Sequence, residues 1–238
     1  MRWIQKTSEP RELTEWRSKY NTDINFGYDL LRQDSTVITA LVVLLLKEQG
    51  WLCAYTGIGI DENKCHIEHV KPQKHCTPDE TVSYGNVVAC YPAPNPKRKT
   101  PYGAEQKDHW PSKEESPLFV SPLDRTSETR FQYRATGEVR AIDKNDFAAE
   151  TTIEQLGLNH RYLKGERKAR IQGTLGRNNT ITLKEARKRL KSLKVEEGNR
   201  LEPFCFVLKQ VLERRVDKLE NIRDSKAKNQ SKSKRSEK

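Results

Sequence analysis

The longest uninterrupted apolar run in this chain, Ala40-Leu-Val-Val-Leu-Leu-Leu46, is only seven residues long. A membrane-spanning helix needs roughly 20, so no span is expected. The run suits the middle of a core helix. Asp34 or Ser35 can cap it, Gly50 can end it, and Val37, Ile38, Leu41, Val42, Leu44 and Leu45 supply a buried face. Little else is available to bury. Hydrophobic residues make up 34% of the chain and charged ones 32%, with a mean hydropathy of -0.90, so a compact core with charge on its surface or tails is expected. A length of 238 residues allows one good-sized domain or two small ones and excludes a large multidomain machine. The opening MRWIQKTSEP has no signal-peptide apolar segment. A cytoplasmic location is expected.

Charge is distributed unevenly. The net charge is +11, and the stretch from Arg161 to Lys194 carries twelve basic residues against two acids. The tail from Lys226 to Lys238 carries six against one, which leaves the first 160 residues close to neutral. Arg161, Lys164, Arg167, Lys168 and Arg170, then Lys184, Arg187, Lys188, Arg189 and Lys191, recur at helical spacing with few acids between them. A bare like-charged face opposes its own helix, and phosphate neutralisation would relieve it. The reading is therefore a chemical head and an electrostatic grip on a polyanion. The alternative is a solvated helix face followed by a solubilising tail.

Five cysteines, Cys53, Cys65, Cys76, Cys90 and Cys205, are an odd number, which argues against a disulfide framework. No CxxC pair exists, because Thr56 stands where a second thiolate would follow Cys53. Structural zinc is therefore weakly supported, and small buried thiols are the simpler reading.

The expected element order gives an α+β chain, mostly helical. A short helix is expected over Pro10 to Tyr20, in a segment from 1 to 34 that offers no chemistry. The core helix follows, then the turn-rich Trp51 to Gly57, a strand over Cys65 to Val70 closed by Pro72, a loop from Thr77 to Gly85, and a short apolar strand from Asn86 to Cys90. Tyr91 to Pro101 holds four prolines and three basic residues and must be irregular. A helical turn is expected within Gly103 to Trp110, an extended segment from Pro111 to Pro122, and a hairpin over Arg130 to Ala141 turning at Thr136-Gly137. Helices are expected at Ala148 to Leu156, Tyr162 to Ile171, Leu183 to Val195 and Pro203 to Leu219, before a disordered basic tail. The divisions are 1–34, a core at 35–122, a hairpin with basic helices at 123–220, and the tail at 221–238.

The segment His66-Ile-Glu-His-Val-Lys-Pro-Gln73, followed by Asn86, is the most informative. On a strand Glu68 and His69 point to opposite sides, so one can hold a metal while the other reaches a water. His66 shares the Glu68 side and is a second candidate ligand, or else a packed histidine. Metal-dependent phosphodiester hydrolysis divides its work in this way. A ligand holds a hard cation, a neutral imidazole with a pKa of roughly 6.5 deprotonates water, and a third group, such as an asparagine, orients the imidazole.

Spaced along residues 35 to 171 are Cys53-Ala-Tyr, Ile67-Glu-His-Val-Lys-Pro-Gln73, Tyr84-Gly-Asn86 to Cys90, Gly103 to Trp110, Pro117-Leu, Arg130-Phe-Gln-Tyr with Gly137-Glu-Val, and Thr152 to Asn159 ahead of Arg167. In that combination the chain resembles the HNH endonucleases of ββα-metal type, and within them the PtuB-like effectors of Septu and retron anti-phage systems. The resemblance implies a small ββα-metal core with His69 as general base, Asn86 orienting it, Glu68 as a Mg²⁺ or Mn²⁺ ligand, and a further ligand on the closing helix. Glu105, Gln106, Asp108 and His109 lie there, and Asp108 is favoured as a carboxylate. Lys107 is assigned either to the scissile phosphate or to a plain surface. Where relatives hold structural zinc, this chain has Cys53, Thr56, Cys90 and Tyr102. Either packing around Tyr55 and Tyr102 replaces the zinc, or Cys65 and Cys76 substitute; the first fits the spacing better.

The resemblance also implies a toxic effector held silent by a PtuA-like ATPase and, in retron versions, by a reverse transcriptase with its RNA–DNA product. Two other classes stay open. One is a non-catalytic nucleic-acid-binding subunit, and the other is a scaffold whose basic helices dock an acidic protein.

Overall fold

The structure is a computed structural model that describes residues 1–176, 179–193 and 200–236, with side chains to residue 226 and at residue 228. It mixes helices with two small antiparallel strand pairs. Asp34 begins the core helix, accepting hydrogen bonds from the N–H groups of Thr36 and Val37. That helix, α3 (Ser35–Glu48), buries Val37, Leu41, Leu45 and Leu46. Ahead of it, α1 (Arg11–Tyr20) packs against α3, and the single turn α2 (Tyr28–Leu31) was not expected from the sequence.

The central pair is β1 (His66–His69) antiparallel to β2 (Val87–Cys90), with His66 opposite Cys90 and His69 opposite Val87. Between them lies α4 (Pro78–Thr81), and after them α5 (Ala104–Lys107). All four residues of β2 are buried, so its outer edge cannot be solvated and needs partners within the protein. Gln49, at the end of α3, supplies them. Its Oε1 accepts from the Ala89 N–H at 2.7 Å, and its Nε2 donates to the Ala89 and Leu52 carbonyls, each at 2.8 Å.

The second half begins with α6 (Ser127–Arg130) and the hairpin of β3 (Phe131–Tyr133) and β4 (Val139–Ala141). Its turn is at 134–138, as expected, and a glycine is required there for two reasons. Gly137 has φ +80°, and a Cβ would fall 2.1 Å from the Lys164 carbonyl oxygen on α8 (Arg161–Leu175). α7 (Phe147–Gln155), capped by Asp146, precedes α8, and α9 (Leu183–Ser192), capped by a Thr182–Glu185 box, follows it. The helix expected over Leu183 to Val195 thus ends by Ser192, with 194 and 195 outside the described residues. The expected extended segment from Pro111 to Pro122 contains one 3₁₀ turn, Ser116–Leu118.

Two expectations are corrected. The disordered tail is helical: α10 runs Cys205–Ser236, so the division at 220/221 falls inside one element. Its start is packed through Val207, Leu208, Val211 and Leu212, which removes the nucleation cost, and residues 205–236 contain no Gly or Pro to stop propagation. Arg167 is not part of a nucleic-acid face. It is 2% exposed, donating from Nε to the Gly137 carbonyl at 2.6 Å and from Nη2 to the Leu158 carbonyl at 2.7 Å, with its guanidinium 5.7 Å from the centre of the Tyr133 ring. Its forked donors tie the hairpin turn to the 157–160 turn.

Gln49→Leu should destabilise the protein by about 2–3 kcal/mol in urea unfolding, because it strands the buried Ala89 N–H. A loss under about 0.5 kcal/mol would show that the amide clamp is dispensable. Arg167→Ala should likewise cost about 3 kcal/mol, and a change in polyanion affinity at unchanged stability would contradict its structural role.

Candidate active site

The loop between β1 and β2 is built to present one carbonyl. Thr77 and Glu80 form a capping box at the start of α4, with Pro78 in the first turn. The end of a helix leaves carbonyls without intrahelical partners, and the Thr81 carbonyl oxygen meets His69 Nε2 at 2.7 Å. A carbonyl can only accept, so Nε2 carries the proton and Nδ1 keeps a free lone pair. His69 is 3% exposed. Burial pushes its pKa below 6.5, opposed by the Thr81 bond and Glu68 and assisted by the Lys107 charge. The imidazole is therefore neutral at pH 7. Tyr28 packs edge-on against it with ring centres 4.7 Å apart, and the Tyr28 N–H donates to Thr81 Oγ1.

Asn86 was expected to orient the imidazole, and no bond between the two side chains forms. Instead its Oδ1 accepts from the Lys71 N–H at 2.8 Å, and its Nδ2 donates to the carbonyls of Lys71 at 3.1 Å and Glu80 at 3.3 Å. Asn86 thus locks the loop next to Thr81 and positions His69 through the backbone. Lys71 adds an ion pair to Glu80 at 2.6 Å.

On the neighbouring strand positions, His66 Nδ1 meets the Pro92 carbonyl oxygen at 2.6 Å, which places a proton on Nδ1 and leaves Nε2 facing Glu68. That atom lies 3.7 Å from Glu68 Oε2. Burial lowers the His66 pKa, but the Glu68 and Pro92 bonds outweigh it and hold it above the usual value. The other oxygen, Glu68 Oε1, is 2.9 Å from Lys107 Nζ and 3.5 Å from the Tyr55 hydroxyl. Lys107 therefore departs from both of its expected roles. Its side chain has no exposure and also donates to the His69 carbonyl at 3.0 Å, so it is neither a surface lysine nor free to grip a phosphate.

His66, Glu68 and His69 line one open cavity of about 520 Å³ with Glu105, Asp108, His109 and Lys99. Glu105 is engaged by the preceding loop, accepting from the Thr100 N–H and hydroxyl. Asp108 leaves α5 at φ +49°, is largely exposed, and lies 3.5 Å from Lys99 Nζ. Among the described residues no group of three His, Cys, Asp or Glu side chains is close enough to hold a metal ion. The donors present still suit a hard cation of the kind that keeps waters and takes substrate phosphate as a ligand. Nε2 of His66 adjoins Glu68 Oε2, and the ring is held by a backbone carbonyl, as metal-binding histidines usually are.

The four positions matched to a zinc site do converge. Cys53 shares hydrogen bonds with Cys90 and Thr56, and the Thr56 methyl lies beside Gly103, which follows Tyr102. Burial opposes ionisation of both thiols. At Cys53 hydrogen bonds from Cys90, Thr56 and the Tyr91 N–H outweigh it and bring the pKa down, whereas Cys90 is pushed up. Cys76 donates to the Lys71 carbonyl instead.

The basic helices are less bare than their sequence. Arg189 pairs with Glu202, Arg170 approaches the same carboxylate at 3.9 Å, and Arg187 pairs with Glu220. Arg161, Lys168, Lys188 and Lys191 remain exposed, and Lys164 is half-buried.

The fold and site define a small strand–strand–helix unit carrying a neutral, carbonyl-held imidazole beside a His–Glu pair over an open cavity. No family model matches the chain. It is similar to a Vibrio cholerae serotype O1 biovar El Tor protein named as a candidate HNH endonuclease of retron Vc95, with 28% identity over 130 residues. The match takes in 52% of this chain and spans 60% of the relative's length. No helix among the described residues is long and apolar enough to cross a membrane.

Lys107→Ala should cost about 3 kcal/mol in urea unfolding by leaving Glu68 without its buried partner, whereas Arg161→Ala should change stability by less than about 0.5 kcal/mol. Equal effects at the two sites would contradict the buried ion pair.

Proposed function

We propose that this protein is a metal-dependent HNH endonuclease of ββα-metal type that hydrolyses phosphodiester bonds in nucleic acid. The observation that carries the reading is the hydrogen bond from His69 Nε2 to the Thr81 carbonyl at 2.7 Å. It leaves a neutral imidazole with its lone pair on Nδ1 in a residue that lines the cavity containing Glu68 and His66.

In the proposed reaction Nδ1 of His69 takes a proton from water as the water oxygen bonds to phosphorus. The bond from phosphorus to the 3′-oxygen breaks, and that oxygen takes a proton from solvent. Glu68 and His66 would hold a Mg²⁺ or Mn²⁺ ion, with Asp108 at the rim as a further donor; bound there, the ion would supply charge stabilisation at the phosphate. Lys107 fixes one Glu68 oxygen and the His69 backbone, leaving the other Glu68 oxygen beside His66. Asn86 is a positioning residue. The exposed Arg161, Lys168, Lys188 and Lys191, with Lys164, would hold the substrate backbone without reading sequence.

In the retron setting suggested by the relative, the protein would be a toxic anti-phage effector. Its partners would be an ATPase and a reverse transcriptase with its RNA–DNA product, which keep it silent.

Incubated with plasmid and Mn²⁺, the wild type should nick, and His69→Ala should lose at least about 100-fold in rate while still binding polynucleotide. Nicking by His69→Ala at the wild-type rate would refute the assignment. A salt-sensitive shift without product from the wild type would favour a non-catalytic binding subunit. Because burial depresses the His69 pKa, the base form persists through neutrality. The acid limb of the kcat/KM profile should be centred below pH 6.5; a limb centred above pH 6.5 would contradict the buried base.

A further inference from the structure

Three tyrosine rings stack in a column built on chain segments next to those that line the cavity just described. Tyr91 follows β2 and precedes Pro92, whose carbonyl orients His66. Tyr102 precedes Gly103 and α5, and Tyr162 stands in the first turn of α8. The Tyr91 and Tyr102 rings are 6.5 Å apart at an interplanar angle of 8°, and Tyr102 and Tyr162 are 5.6 Å apart at 10°. Tyr102 is 7% exposed, but Tyr162 at the outer end is 49% exposed. With one face of its ring covered by Tyr102, that exposure belongs to the opposite face and the edges.

The alignment is enforced by the backbone. Gly157 has φ +55°, and a Cβ there would lie 2.7 Å from the Pro101 carbonyl oxygen and 3.2 Å from Tyr102 Cα. The Gly103 N–H also donates to the Leu156 carbonyl at 2.8 Å. The turn that starts α8 is therefore pressed against the segment that starts α5, which brings Tyr162 over Tyr102. Exposed cations lie close to these tyrosines along the chain: Arg161 is next to Tyr162, and Lys97, Arg98 and Lys99 come shortly before Tyr102, with Lys99 also lining the cavity. The acid facing the Tyr162 hydroxyl is Glu166, one turn along α8.

We infer that Tyr162 is a stacking platform for an unpaired nucleobase, so that the strand entering the cavity is single-stranded nucleic acid with its phosphates on the Lys97–Lys99 and Arg161 side. A pre-oriented, half-exposed aromatic face next to cations is how proteins take single strands, because every base has a π-face to stack and a paired base in a duplex does not offer it. The inference rests on the nuclease reading and deepens it by naming the substrate class.

The test uses the full chain in EDTA, which prevents metal-dependent cleavage, and an oligonucleotide of about a dozen residues carrying one 2-aminopurine, presented either single-stranded or annealed. The wild type should quench 2-aminopurine fluorescence in the single strand. Tyr162→Ala and Tyr162→Leu should lose the quenching and about 5- to 100-fold in single-strand affinity, with less than about twofold change for the duplex, while Tyr162→Phe should behave as wild type. Unchanged single-strand binding by both the Ala and Leu variants, or an equal loss for single strand and duplex, would overturn the platform while leaving nicking by the wild type intact. A wild type that neither binds nor nicks any polynucleotide would overturn the nuclease reading and the platform together.

Discussion

An antiparallel pair of two four-residue strands cannot hold itself together in water, and most of the molecule is arranged to support the one formed by β1 and β2. The Gln49 amide joins the two halves of that support. It gives the buried edge of β2 a donor and an acceptor at Ala89, and so attaches the strand pair to the most apolar helix in the chain. The pair in turn carries His66, Glu68 and His69 at adjacent positions, so the cavity inherits its rigidity from α3. Without a polar side chain at the end of that helix, β2 would bury an unpaired N–H at Ala89.

The electrostatics of the site follow from how little water reaches it. A fully buried Lys107 faces a largely buried Glu68, an arrangement that is costly to desolvate and so contributes more to placement than to net stability. Placement is what the cavity uses. Lys107 reaches both Glu68 and the His69 carbonyl, fixing the two residues relative to each other, while Thr81 on one side and Pro92 on the other set the tautomers of the two histidines. Two backbone carbonyls thereby hold the two rings, one leaving His69 Nδ1 with a free lone pair and the other leaving His66 Nε2 facing Glu68. The loop that provides the first of them is locked by Asn86 and by the capping box.

The C-terminal half plays a different part. Its basic residues are divided between those that hold the fold and those that face solvent. Arg167 is spent on two carbonyls, and Arg187 and Arg189 are paired with acids on or just ahead of α10. Exposed pairs of this kind contribute about 0–1 kcal/mol each, so a polyanion could displace them at small cost. The Gly137 contact presses the hairpin turn onto α8, and the Gly157 contact presses the turn ahead of α8 onto the segment that starts α5.

What could be read from the residues alone was local. The core helix and its Asp34 cap, the two central strands, the hairpin turn and most helices rest on periodicity and capping over a few neighbours, and the pairing of His66 with Glu68 follows from strand alternation. The T-P-D-E signal of α4 was equally present, although the segment reads as loop if capping is not sought there. The chain continues α10 where its polar composition suggests disorder, because helix propagation depends on a packed start, which composition does not register. Only tertiary structure could decide that Thr81 rather than Asn86 holds the imidazole, that Tyr28 packs on it, that Lys107 and Arg167 are buried, and that three tyrosines distant in sequence stack. These outcomes depend on which groups lose water and which carbonyls come within reach, and burial of that kind is set by contacts across the whole chain rather than by the spacing of neighbouring residues.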